Sequence, residues 1–297
     1  MDWDKLRVFH AAADAGSFTH AAEKLNMSQS AISRQVSALE RDLNVPLFHR
    51  HARGLILTEQ GELLFRTAQD VMSKLASTKI RLTDSRGKPS GDLRVTTTLA
   101  LGALWLTPRL EEFLDLYPDI RIQLILDDYE VDLGTGQADI ALRFQPPSQN
   151  DLVRRKLFVV HNHIYASVEY VNKRGAPRTF QELDNHRVII YGDTAPPHLR
   201  RLNWLETAGR ESGDQRRAAL QINSVLGLRE AVREGVGIAF LPDYVAREDP
   251  RLVAVLNDEK DVPEFEVYFA YPEEMRSAKR IDVFRDFLIA KAREWAY

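Results

Sequence analysis

The chain has 297 residues, 44% of them hydrophobic, enough for two or three domains with ordinary cores. Its formal net charge of −3 lends no support to a nucleic-acid partner, and the lack of cysteine excludes disulfides, thiolate metal sites, thiol nucleophiles and cysteine-based sensing. No apolar run is long enough to span a bilayer and the start, Met1-Asp2-Trp3-Asp4-Lys5, is acidic and polar, so a cytoplasmic protein without membrane contact is expected.

The first 48 residues read as three closely spaced helices. Leu6, Phe9, Ala12 and Ala13 recur at helical spacing, and Gly16 is a natural stop. Ser17 caps a short second helix with Phe18, Ala21, Ala22 and Leu25 on its inner face, where the small alanines allow the close approach of a helix-turn-helix. Asn26-Met27 makes the turn and Ser28 caps a third helix. Ile32, Val36, Leu39 and Leu43 form its apolar stripe, which leaves Gln29, Ser30, Ser33 and Arg34 facing outward near its start. Gln can pair with adenine and Arg with guanine in a major groove; a solvated surface helix is the bland alternative.

Pro46-Leu47-Phe48 ends the helical region, and Gly54 to Thr58 reads as a strand after a tight turn, giving a two-stranded wing. Residues 1–60 carry seven Lys/Arg and seven Asp/Glu, so any contact with DNA rests on where the cations sit. Arg50 and Arg53, with His49 and His51, form one local cluster, which alone would read as a solvated loop. From Thr58 to about Lys88 one long helix is expected. Leu64, Ala68, Val71, Leu75 and Leu82 make a seam suited either to a partner helix or to the chain's own body. Gly87 to Gly91 is a hinge by composition.

Beyond the hinge, strands and helices alternate: strands over 93–97, 120–126, 138–143, 162–167, 187–191, 237–241 and 266–270, and helices over 104–117, 224–234 and 277–296. That pattern predicts an α/β body with a mainly parallel sheet, large enough for two lobes with a cleft between them. Thr97-Thr98 end the first strand just before a helix start at Leu99-Ala100, and Asn223-Ser224 offer the same device later in the chain. Two such termini across a cleft suit a small polar or anionic ligand, with Arg143 as a cation and Tyr129 and Tyr191 as walls; simple capping by Thr98 and Ser224 is the alternative.

Several runs carry a resemblance: Leu6-Arg7-Val8-Phe9, Gly16-Ser17-Phe18-Thr19-His20-Ala21-Ala22, Ser28 through Val36, Leu39-Glu40, Leu47-Phe48-His49-Arg50 and Leu57-Thr58-Glu59-Gln60-Gly61. This long, nearly gap-free order resembles the LysR-type transcriptional regulators, with those of alphaproteobacteria nearest. Ser30 stands where the family usually has proline, a change expected to act only locally on base contact. Gly175-Ala176-Pro177 before Glu182-Leu183, and Val232 through Pro242, match the family's effector-binding region more weakly, and the segment 127–136 looks shorter than usual.

The resemblance implies an N-terminal all-α winged helix-turn-helix (residues 1–58), a dimerising linker helix (59–88) and a two-lobed, periplasmic-binding-protein-like α/β effector domain (89–297). Lobe one would take about 91–161 and 267–297, and lobe two about 162–266. It also implies a homodimer, tetrameric on double-stranded DNA, modulated by a small effector without a cofactor. Gln29, Ser30, Ser33 and Arg34 would face bases or nearby phosphates, and Arg50 and Arg53 would be wing contacts.

Enzyme readings find no motif. His161-Asn162-His163 lacks zinc spacing, and there is no nucleophile elbow, phosphate loop or dinucleotide fingerprint. A two-lobed solute binder or transferase is the alternative from another class, and it has no use for a wing and a polar recognition face.

Overall fold

The computed structural model describes residues 2–51, 54–83, 88–146, 149, 151–256 and 262–294. The chain divides into two units, Met1–Thr83 with Gly134–Gln137, and Asp84–Leu133 with Ala138–Tyr297.

In the first unit each helix begins on a side-chain cap and stops on a left-handed residue. The first, α1 (Trp3–Ala15), starts where Asp2 accepts the Asp4 N–H and ends at Gly16, φ +59°. In α2 (Phe18–Leu25) the cap is Ser17, and Asn26 at φ +51° closes the helix. Ser28 caps α3 (Gln29–Leu43), accepting the Ala31 N–H at 3.2 Å, and Asn44 ends it. Phe9, Ala12, Ala21, Ile32, Val36 and Leu39 have no exposure and form the core of this unit. The two wing strands, β1 (Phe48–His51) and β2 (Gly54–Leu57), pair antiparallel with Phe48 opposite Leu57. Phe48 packs edge-on against Phe18 and tilted against Phe9, which anchors the base of the wing in the core.

Two polar devices fix the wing's exits. The Glu40 carboxylate accepts the N–H groups of Leu47 and Phe48 at 2.9 and 3.3 Å, tying α3 to β1. Thr58 donates its hydroxyl to the Pro46 carbonyl at 2.8 Å and accepts the Gly61 N–H at 3.0 Å, which starts α4 (Glu59–Thr83) as expected from its position. Lys88, the expected end of that helix, lies in a bend, and residues 84–87 lie outside the described set. Along α4, Ala68 is buried with the first unit's core and Leu64 and Phe65 pack against it, whereas Leu75 is 51% exposed. Leu82's side chain is outside the described set.

The second unit holds two five-stranded sheets. One has the order β4-β3-β5-β12-β6, built from β3 (Gly91–Thr97), β4 (Ile120–Leu126), β5 (Ile140–Arg143), β6 (Leu152–Val160) and β12 (Phe265–Pro272). The other has the order β11-β7-β10-β8-β9, from β7 (Asn162–Ser167), β8 (Val188–Ile190), β9 (Leu220–Gln221), β10 (Ile238–Pro242) and β11 (Leu252–Val255). The chain passes from the first sheet to the second after Val160 and returns before Phe265.

Each sheet is mixed: four of its five strands run one way and a single strand runs against them, so the expectation from alternation holds for all but one strand in each. Among neighbouring strands, β3 with β4 and β5, and β8 with β9 and β10, run parallel. The returning β12 lies antiparallel between β5 and β6, and β7 lies antiparallel between β10 and β11. The reversed strand in each sheet is the one by which the chain enters from the other sheet, β7 directly after β6 and β12 after β11, and not one reached by a crossover helix within the same sheet.

Helices cover both sheets, the short α6 (Val168–Arg174) and α8 (Asp243–Ala246) among them. The helical stretch after Thr98 begins at Leu99, earlier than the expected Leu104, and runs through a π-helical turn (Leu101–Leu106) into α5 (Leu110–Leu116). The wide turn precedes Pro108, which has no N–H for a regular bond; Thr107 bonds back to Gly102 instead. Phe113 of α5 meets Phe284 and Phe287 of α9 (Lys279–Glu294) at 5.0 and 5.2 Å. In the other sheet Leu228 and Val232 of α7 (Val225–Arg233) are fully buried, and Phe240 of β10 packs on Trp204 at 5.0 Å.

Candidate functional site

The first candidate surface is the start of α3. Gln29, Ser30 and Arg34 are exposed there and Ser33 is half-buried, while Ile32, Val36 and Leu39 on the opposite side are fully buried. Ser28 and Ser30 bring their hydroxyls within 3.1 Å of each other. Lys5, Arg7 and Lys24 are each paired with a carboxylate, whereas Arg34 enters no ion pair among the described residues. A zero charge sum therefore hides an available guanidinium, placed beside Gln and Ser donors at a helix start. Arg50 stands in β1 opposite Leu55, and Arg53 lies outside the described residues.

The second candidate lies where the two sheets of the second unit approach each other. A cavity of about 220 Å³ is lined by Leu99, Tyr129, Tyr191 and Asn223 of the expected set, with Leu126, Asp127, Asp128 and Thr194. Asp128 also lines a deeper, largely apolar recess with Thr98 and Ala100. Six of the nine expected residues therefore gather at this cleft and its recess. Thr97, Arg143 and Ser224 line neither: Thr97 is buried, and Ser224 caps α7 by accepting the Gly227 N–H at 3.3 Å.

Arg143 is 1% exposed and donates to the Thr96 hydroxyl at 2.8 Å and the Asp127 carbonyl at 2.6 Å. Burial draws its pKa down, opposed by Glu130, Asp127 and Asp128. A guanidinium keeps its proton even so, and this one holds the loop after β4 from behind.

Asp128 organises the cleft. One carboxylate oxygen accepts the Leu99 N–H at 3.0 Å, at the start of the helix after β3, and the other accepts the Tyr191 hydroxyl at 3.0 Å. The helix N-terminus expected to greet a polar or anionic ligand is thus already served by the chain's own carboxylate. Burial and the neighbouring Asp128 push the Tyr191 pKa far above its ordinary value, so the phenol stays a donor. His198, 5% exposed, is held neutral, because burial with Arg143 nearby lowers its pKa to about 4.

Asp127 and Asp128 were not anticipated. The signal available was position: they follow directly on β4, at the carboxyl end of a strand parallel to β3, where α/β folds place their ligand crevices.

Comparison with known proteins bears on both surfaces. Residues 3–62 match the bacterial regulatory helix-turn-helix of the lysR family, and residues 86–293 match the LysR substrate binding domain. The HTH-type transcriptional regulator CrgA of Neisseria meningitidis is 31% identical over 289 residues, covering 96% of this chain and 95% of that protein. The solved structure of the Neisseria meningitidis CrgA, a LysR-type regulator, superposes with a TM-score of 0.61 at 29% identity, over 98% of this chain and 99% of that one. The full-length Vibrio cholerae virulence activator AphB gives a TM-score of 0.61 at 27% identity, over 98% of this chain and 99% of AphB.

Proposed function

The chain belongs to the LysR family, a transcriptional regulator with a helix-turn-helix followed by an effector-binding α/β domain, and from that premise we propose how its parts work. It is a regulator and not an enzyme. The start of α3 enters a major groove of double-stranded DNA, with Gln29, Ser30, Ser33 and Arg34 against base edges and nearby phosphates. Arg50 and Arg53 of the wing hold the flanking backbone, setting register while the helix reads sequence.

The functional division follows residues 1–58 for reading, 59–88 for pairing and 89–297 for sensing. In the sensing part residues 91–161 with 267–297 form one lobe, and 162–266 the other. Two copies pair through α4, so that a two-fold dimer meets inverted half-sites, and dimers pair again as a tetramer on DNA. A small polar effector binds in the cleft lined by Leu99, Tyr129, Tyr191 and Asn223, over Thr98 and Ala100, while Thr97, Arg143 and Ser224 hold those walls in place. The protein acts in the cytoplasm.

The observation that carries the reading function is the division of α3. Three fully buried apolar residues fix one side, and Arg34, in no ion pair among the described residues, occupies the other with Gln29 and Ser30. Selection of bound duplexes from a random pool, followed by shift assays at fixed salt, tests it. The wild type should enrich an inverted repeat, and Arg34→Ala should weaken specific binding by about 1–3 kcal/mol with an unchanged circular-dichroism melt. Equal affinity for the selected site would remove Arg34 from the reading face.

A further inference from the structure

The cleft carries a sign of charge. Asp127 and Asp128 line it, and among the described residues no Lys, Arg or His lines either the cleft or its recess. The cation behind the wall, Arg143, is 1% exposed, directs an N–H to each of the Thr96 hydroxyl and the Asp127 carbonyl, and is faced by Asp127, Asp128 and Glu130. The Leu99 N–H, which would serve an anion, is held by Asp128. An anionic ligand would therefore meet carboxylates with no free donor of opposite charge.

A second observation lies in the recess. Thr98 lines it, is 2% exposed, and its hydroxyl has no partner among the described residues. Buried hydroxyls are normally satisfied, so this one points to a group that arrives from outside. The space beside it is about 10 Å³, room for a single water-sized centre. An ammonium is of that size and has three donors and no acceptor. Asp128 borders both spaces, and its two bonds leave about half of the lone-pair positions of a carboxylate open. Tyr129 and Tyr191 add aromatic surface of the kind that attracts cations, and Leu99 and Leu126 add apolar wall.

We propose that this cleft binds a small organic cation, an ammonium head on a short apolar body, with Asp127 and Asp128 as its counter-charges and the Thr98 hydroxyl accepting one N–H. This rests on the reading of the cleft as the effector site and adds the charge class to it. The cavity of about 220 Å³ sets the size, below the roughly 300–1,000 Å³ of sites for drug-sized ligands.

The probes are ethylammonium and propylammonium chlorides against sodium propionate and benzoate. Each is titrated into the full-length chain, with sodium chloride matching the ionic strength, and read as a shift of the thermal midpoint. The organic cations should raise the midpoint of the wild type, as ligands that bind only the folded state do. Their affinity should fall at least about tenfold in Asp128→Asn. Asp127→Asn should weaken them as well, and it covers the case in which loss of the Asp128 carboxylate harms folding, since the Asp127 side chain holds only the Tyr129 N–H. Asp115→Asn, on the exposed face of α5, should change nothing.

Stabilisation by the carboxylates and not by the cations would overturn the charge class and leave the cleft standing as an effector site. A cation shift undiminished in both aspartate variants would place binding elsewhere and overturn the proposal. No shift from either cation would overturn the proposal.

Discussion

Tyr191 donates its hydroxyl to Asp128 at 3.0 Å, and this bond joins the end of β8 in one sheet to the loop after β4 in the other. It spans the two halves of the cleft, and both residues line the cavity. Because burial keeps the phenol protonated, the bond is always O–H to carboxylate, the stronger, charge-assisted kind. Tyr191→Phe keeps the ring and removes the clasp. Hydrogen bonds to charged groups contribute roughly 1.5–3 kcal/mol, so the second unit should melt at a lower temperature, with specific DNA affinity unchanged in the absence of ligand. An unaltered melt would mean that water replaces the phenol without loss.

Gly61 sits in the first turn of α4, where a Cβ would stand 2.1 Å from the Leu47 carbonyl oxygen. That oxygen also accepts the Thr58 N–H at 3.0 Å, so it cannot retreat without breaking the joint between wing and helix. Gly61→Ala should destabilise the first unit by about 1–3 kcal/mol, the usual cost of overpacking, and should displace the wing. Thr58→Val is the milder test. It loses the cap of α4 and the bond to Pro46 and should cost about 1–2 kcal/mol in urea unfolding. A stable Gly61→Ala protein with normal DNA affinity would show that the joint is looser than its contacts imply.

How much of this could be read from sequence depended on the distance over which each feature is decided. The two-sided character of α3 was legible because Ser28, Ile32, Val36 and Leu39 specify a capped, one-sided helix within a dozen residues. Strand β6 was not, because Arg154, Arg155 and Lys156 interrupt its apolar pattern; it lies at a sheet edge, where charged residues belong. The antiparallel placing of β12 depends on pairs such as Phe269 with Leu142, which no local pattern announces. Asp128 reads as one acid in a solvated loop until Tyr191, 63 residues away, is brought to it. The expectation of a small polar or anionic ligand was drawn without this acid for the same reason.

The heptad seam of α4 shows one periodicity serving two neighbours. Leu64 and Ala68 belong to the core of the first unit, while Leu75 is 51% exposed on the same helix. Charge introduced at the two ends should therefore have different effects. Leu75→Glu should give a folded monomer in sedimentation velocity, with weakened binding to an inverted repeat. Leu64→Glu should instead lower the stability of the reading unit, since it forces a carboxylate against an apolar core. A Leu75→Glu protein that sediments as a dimer would put the pairing surface elsewhere.

His198 gives the chain a predictable response to acid. Its pKa lies near 4 in the folded protein against an ordinary 6.5, because burial and Arg143 disfavour the imidazolium. Above pH 6.5 both states carry a neutral ring, and the residue costs nothing. As the pH falls below 6.5 the unfolded chain takes up a proton that the folded chain refuses, so stability declines. The loss levels off near pH 4, where the folded ring also protonates, and at 1.36 kcal/mol per unit it reaches at most about 3 kcal/mol. His198→Gln removes the titration while keeping a polar side chain. Unfolding midpoints of the two proteins should therefore diverge in favour of the variant between pH 6.5 and 4, whatever the carboxylates common to both contribute. A difference that stays flat across that window would show that the ring is solvated, or protonated, in the folded state.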